Sequence, residues 1–100
     1  DMSTKLTEKT ESSQETKEPA KFAVILHNDD YTTTDFVIFL LVSVFKKNTQ
    51  EAKDTTYKVH LSGSGVAGIY PYEIASEKLA EAEFLAEKNQ QPLRLTLEEV

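Results

Sequence analysis

The sequence predicts a small α+β domain in the order β-α-α-β-α-β, with a short antiparallel sheet packed against three helices. Three observations lead there. Residues 21–27, KFAVILH, and residues 93–97, LRLTL, read as short strands at the two ends of the folded part. Between them, three stretches place apolar residues at helical spacing. Asn, Asp, Gly and Pro punctuate the intervals.

The first strand is rich in Val, Ile and Phe and is ended by the turn-forming Asn28, Asp29 and Asp30. Thr32 is expected to cap the first helix, with Asp35 three residues on completing a capping box, and the helix to run to about Lys46. Phe36, Val37, Leu40, Leu41, Val44 and Phe45 fall on one face, while Ile38, Phe39 and Val42 fall largely off it. Either this helix is buried nearly all round or it carries an exposed apolar patch that meets another protein. A second helix is expected from about Thr49, a capping residue with Ala52 three positions on. It ends in LSGSG at residues 61–65, where Gly63 and Gly65 tolerate backbone angles that other residues avoid. Val66 to Tyr70 reads as a strand, and Pro71 opens a third helix where its missing N–H costs least. Along that helix Ile74, Ala75, Leu79, Ala82, Leu85 and Ala86 form a core stripe, and Glu73, Glu77, Lys78, Glu81 and Lys88 take wetter faces. Pro92 leads into the last strand, which points Leu93, Leu95 and Leu97 to one side.

Residues 1–20 differ from all of this. They hold seven Ser or Thr and eight charged residues, with Met2, Leu6 and Ala20 as the apolar side chains. Such a segment buries too little surface to offset its ordering entropy, so it is expected to be a disordered tail before a folded domain at residues 21–100. Five acids and three lysines give the tail −2 of the total −6. That excess of 17 acids over 11 bases disfavours nucleic acid and anionic membrane surfaces as partners and suits a cationic one. Without cysteine, disulfides, thiol catalysis and Cys-rich zinc sites fall away. No apolar stretch reaches 18 residues and the N-terminus is polar, so a soluble cytoplasmic protein is expected, with neither a spanning helix nor a secretory signal.

Asn28, Asp29 and Asp30 stand at the junction of the first strand and the first helix, where Asn and Asp commonly make turns and acids favour a helix N-terminus. His60, one of two histidines, sits at the end of the second helix, where nothing nearby requires it. His60 with Asp29 or Asp30 has the makings of a base and its orienter. No glycine-rich phosphate loop, nucleophile motif or second nearby histidine accompanies them, so neither an enzyme nor a metal or cofactor site is expected.

Taken together, ILHNDDYTTTDFV, the Val59-His60 pair, GSGVAGIY at residues 63–70 and NQQPLRLTLEE at residues 89–99 resemble the ClpS adaptors. The resemblance covers residues 21–100 without an evident gap. It implies a fold like that of ClpS and the ribosomal stalk C-terminal domain. It also implies delivery of N-degron proteins to the N-terminal domain of a ClpA-type AAA+ unfoldase for Clp proteolysis. A free α-amino group has a reference pKa of about 7.7 to 8.0 and is mostly a cation with three donors at neutral pH. By resemblance Asn28, Asp29 and His60 accept from that amine, and Asp30, Thr32 and Thr34 form the rim. Ile25, Val37, Thr56, Val59 and Leu93 are implied as the pocket for a first Leu, Phe, Tyr or Trp. Burying such a side chain is worth roughly 1.5 to 3 kcal/mol, about ten- to a hundredfold in affinity.

Thr34 and Thr56 depart from the family, which usually carries Met at both positions, the first as a gate against β-branched first residues. The departure predicts a roomier and more polar pocket, unless the threonines face solvent or bond to backbone. Thr33 replaces a common Pro at the helix start. Glu73 and Lys78 match positions that dock on the unfoldase, although charges on a helix face are ordinarily just solvated. The tail matches the flexible extension that the unfoldase engages. Two other readings stand beside this one: a stalk-like interaction domain using the apolar excess at Ile38, Phe39 and Val42, and a ClpS-like protein with altered first-residue specificity.

Overall fold

The strand that opens the fold, β1 (Lys21–His27), is also its centre. In the computed structural model, which describes residues 19–100, β1 pairs antiparallel with β2 (Ser64–Pro71) on one side and β3 (Arg94–Glu99) on the other. The tail expected at residues 1–20 lies, but for Pro19 and Ala20, outside the described residues. The pairing of β1 with β2 slips between Val24 and Ile25, which face Gly68 and Val66 and leave Ala67 as the extra residue of a bulge.

Three helices complete the order β-α-α-β-α-β: α1 (Thr34–Ser43), α2 (Thr49–Ser62) and α3 (Tyr72–Lys88). α1 packs on α2, α2 on β2, and α3 lies across all three strands. Ala75, Ala82 and Ala86 are the buried residues of α3, and their small side chains bring that helix close to the sheet. The core joins Val24 and Leu26 of β1 to Leu40, Leu41 and Val44, with Ala67, Val59 and Leu95 closing it.

Several expected boundaries move, each for a local reason. Thr33 rather than Thr32 caps α1, its hydroxyl accepting from the Phe36 N–H at 3.1 Å. The Thr32 hydroxyl is committed to Asp29, so Asp35 supplies first-turn charge without closing a capping box. α1 stops at Ser43 rather than near Lys46, whose φ of 61° takes the chain out of the helix. Asn48 rather than Thr49 caps α2, in a full capping box with Glu51: Asn48 Oδ1 accepts from the Glu51 N–H, and Glu51 Oε1 from the Asn48 N–H. Pro71 ends β2 and is itself the cap residue, with Tyr72 as the first helical residue of α3.

The expected stripe on α3 loses Ile74, which is 44% exposed, while Leu79 and Leu85 are partly buried against the core. α3 closes with Gln90 at φ 56°, the Gln91 N–H donating to Ala86 O (2.8 Å) and the Gln90 N–H to Glu87 O (3.1 Å), the paired bonds of a Schellman end. Of the alternatives for α1, the exposed patch holds: its expected inner face is buried, but Phe39 (47%) and Val42 (37%) stand in solvent.

Candidate functional site

Asn28, Asp29 and Asp30 leave the sheet at the end of β1, and one backbone bond fixes where they go. The Asn28 N–H donates to the Gly63 carbonyl at 2.9 Å, tying the loop to the C-terminus of α2. Gly63 serves there as the C-cap with φ 91°, which a side chain would strain, and its own N–H donates to Val59 O. His60, in the last turn of α2, is thereby brought beside a loop 30 to 32 positions away in sequence.

Asp29 organises that loop. Its Oδ1 accepts from the N–H groups of Tyr31 (2.8 Å) and Thr32 (2.7 Å), and its Oδ2 from the Thr32 hydroxyl (2.6 Å). Burial pushes the Asp29 carboxyl up, but the Thr32 hydroxyl and the two N–H groups outweigh it and hold the pKa below the ordinary aspartate value. The carboxylate is therefore an anion at neutral pH. A carboxylate offers about four acceptor positions, so after three internal bonds it keeps capacity for one donor from outside.

These groups line a cavity of about 260 Å³, together with Asp30, Thr32, Thr34, Val37, Thr56 and Val59. The rim is polar and the floor is not: Val37 and Val59 are buried, and Thr56 turns its hydroxyl inward to Ala52 O (2.7 Å). Thr56 thus bonds to backbone and Thr34 is exposed, the two exceptions to the expected gain in polarity, although both residues line the cavity. Gly65 sets the floor's height, since a Cβ there would stand 2.8 Å from Val59 Cγ2. A second space of about 380 Å³ adjoins the first, sharing Thr34, Thr56 and His60 and adding Ile38, Lys53 and Tyr57.

Two expected pocket residues fall elsewhere. Ile25 alternates to the opposite face of β1 from core residues Val24 and Leu26, and Leu93 packs partly buried against the core; neither lines the cavity. Gln91 was not singled out by sequence, yet its Oε1 accepts from the Thr33 N–H (3.0 Å) and braces the α1 cap beside the rim. Nothing local marks that bond in the sequence, because 58 residues separate its partners. Glu73 and Lys78 lie away from the cavity. Glu73 is exposed at the start of α3, and the Lys78 ammonium donates to Val44 O at the end of α1 (2.7 Å). Among the described residues no group of three or more His, Asp or Glu is placed to hold a metal ion. No described helix is long and apolar enough to cross a membrane.

Comparison with known proteins gives this geometry relatives. The family described as ATP-dependent Clp protease adaptor protein ClpS matches residues 17–96. The ClpS adapter protein of Clostridium acetobutylicum is 46% identical over 99 residues, covering 99% of this chain and 98% of the relative. That of Wolinella succinogenes is 50% identical over 82 residues, covering 82% and 80%. A solved structure, Agrobacterium tumefaciens ClpS2 bound to L-phenylalaninamide, superposes with a TM-score of 0.79 at 32% identity, covering 83% of this chain and all of that one.

Proposed function

The chain belongs to the ClpS family of Clp protease adaptors, and from that premise we propose that it binds the free α-amine and large apolar first residue of N-degron proteins and delivers them, in the cytoplasm, to a ClpA-type AAA+ unfoldase. One observation carries this reading: Asn28, Asp29 and His60, from two separate elements, converge on a single cavity whose floor is apolar. An α-ammonium meets three acceptors there, the Asn28 amide oxygen, the remaining acceptor position of Asp29 and a ring nitrogen of His60. The first side chain drops toward Val37, Thr56 and Val59, while Asp30, Thr32 and Thr34 form the rim. Phenylalaninamide, the ligand of the structural relative, joins the same two features, a free α-amine and an apolar side chain.

The unfoldase surface in this reading centres on Glu73, which is exposed at the opposite end of the sheet. Lys78 has a structural partner in Val44 O, which weakens its part in docking. A variant reading, altered first-residue choice, is favoured by one feature: Thr34 and Thr56, two short side chains, line both spaces together with His60.

Fluorescence-anisotropy binding of short peptides differing only in the first residue tests the proposal, each peptide run also with its amine acetylated. Leu, Phe, Tyr or Trp peptides are expected to bind, and acetylation or Asp29→Ala to abolish binding. Equal binding of free and acetylated peptides would remove the mechanism.

A further inference from the structure

The amine cavity is not closed on the side of α2. It opens across Thr34, Thr56 and His60 into the adjoining groove, where Ile38 and the Tyr57 ring form apolar walls and Lys53 supplies a cation. Tyr57 is 65% exposed, a large ring left uncovered beside a binding cavity. We propose that this groove is a second subsite, taking the side chain of the substrate's second residue and favouring apolar rings and acids over bases there.

The inference rests on the amine-binding reading, which fixes where the peptide starts. With the ammonium held between Asn28, Asp29 and His60 and the first side chain directed at Val37 and Val59, the chain must leave over an open edge of the cavity. Consecutive Cα atoms are about 3.8 Å apart, so the second residue falls within one step of the amine acceptors. His60 is the acceptor that also borders the groove. A chain leaving past it sets its second side chain between Ile38 and Tyr57, within reach of Lys53. The protein's net charge of −6 and the nearby Asp29 and Asp30 work against an acidic peptide overall. The contribution of Lys53 is therefore local, and is read as a difference between variants.

Anisotropy competition with peptides beginning Leu-Gly, Leu-Phe, Leu-Glu and Leu-Lys, with acetylated Leu-Phe as control, separates the possibilities on wild type, Tyr57→Ala, Lys53→Glu and Lys58→Glu. Lys58 is exposed on the same helix but does not line the groove, so its reversal reproduces the change in net charge alone. Leu-Phe is expected to bind about fivefold more tightly than Leu-Gly in wild type and to lose that advantage in Tyr57→Ala. The Glu-to-Lys affinity ratio is expected to fall about two- to fivefold in Lys53→Glu and to stay near wild type in Lys58→Glu. If free-amine peptides bind but the second residue is indifferent, or both reversals shift the ratio equally, the subsite is overturned and amine recognition stands. If acetylated Leu-Phe binds as well as the free peptide, both fall.

Discussion

Asp29 holds its own loop and, in the proposed function, also a ligand, and the two tasks separate experimentally. Thr32→Val removes the hydroxyl donor but leaves both N–H bonds, so the Asp29 pKa is expected to rise toward its ordinary value of 3.8, with peptide affinity falling only a few-fold. Asp29→Ala removes the anion and is expected to cost at least about tenfold in affinity, since bonds between charged partners are the strong ones. The pH dependence follows from the signs. The folded-state pKa of Asp29 is depressed, so its contribution to stability is complete above about 3.8 and is lost as pH falls through the lower folded value. The ligand's amine, with a reference pKa of about 7.7 to 8.0, sets the opposite limb, and affinity should decline as pH rises past that range. Chemical denaturation at acidic pH would read the first limb and titrations with free and acetylated peptides up to pH 10 the second, where a profile flat above pH 8 would remove the ammonium from the mechanism. Thr34 is the residue to restore toward the family: Thr34→Met narrows the passage between the two spaces, and the affinity ratio of Leu-first to Ile-first peptides should rise.

At the scale of elements, what the sequence made legible was the apolar pattern, and what it concealed was the choice among adjacent polar residues. Phe36, Val37, Leu40 and Leu41 are buried as their spacing requires, because burying several large side chains dominates the placement of a helix. Thr32 and Thr33 are equally able to cap, and one local and one long-range bond decided between them: Asp29, three residues away, took Thr32, and Gln91, 58 residues away, fixed Thr33. Asn48 and Thr49 pose the same ambiguity, resolved by Glu51 standing three residues after Asn48. Close approaches are invisible in sequence for a related reason. Gly65 reads as a flexible residue, whereas its requirement is space: Gly65→Ala sets a methyl 2.8 Å from Val59 Cγ2 and is expected to cost about 1 to 3 kcal/mol by chemical denaturation, with weaker peptide binding because Val59 floors the cavity. Lys78 is the sharper case. Its bond to Val44 O joins α3 to the end of α1, so Lys78→Met is expected to lower stability by about 1 kcal/mol, against less than about 0.5 for Glu73→Gln. Equal midpoints for the two variants would show that the Lys78 bond contributes nothing.

Across the whole molecule, the proposed function assigns different tasks to the two ends of the sheet. The cavity lies beyond His27 at one end of β1, where Asn28 and His60 line it, and Glu73 stands near Phe22 at the other, about 20 Å away for six strand steps. That Asn28, Asp29 and His60 share a cavity was suggested by residue types unusual in combination: an Asn-Asp-Asp turn and a His that the core does not use. Ile25 and Leu93 were misplaced because apolar residues near a site look alike in sequence, and only strand alternation and packing sort floor from core. The separation of the ends bears on delivery. An adaptor that must hold its substrate while docked gains nothing from antagonism between its two sites. Between them lies a packed sheet and helix core, so the coupling free energy is expected to be close to zero. Peptide affinity should therefore change less than about twofold when the N-terminal domain of the unfoldase is saturating, and reciprocally. Glu73→Lys is expected to abolish unfoldase binding with peptide affinity intact, and Asp29→Ala to do the reverse. Isothermal titration of each partner in the presence and absence of the other measures both. A shift of tenfold in either direction would mean that substrate and unfoldase share a surface, and would move the docking site from Glu73 toward the rim of the cavity.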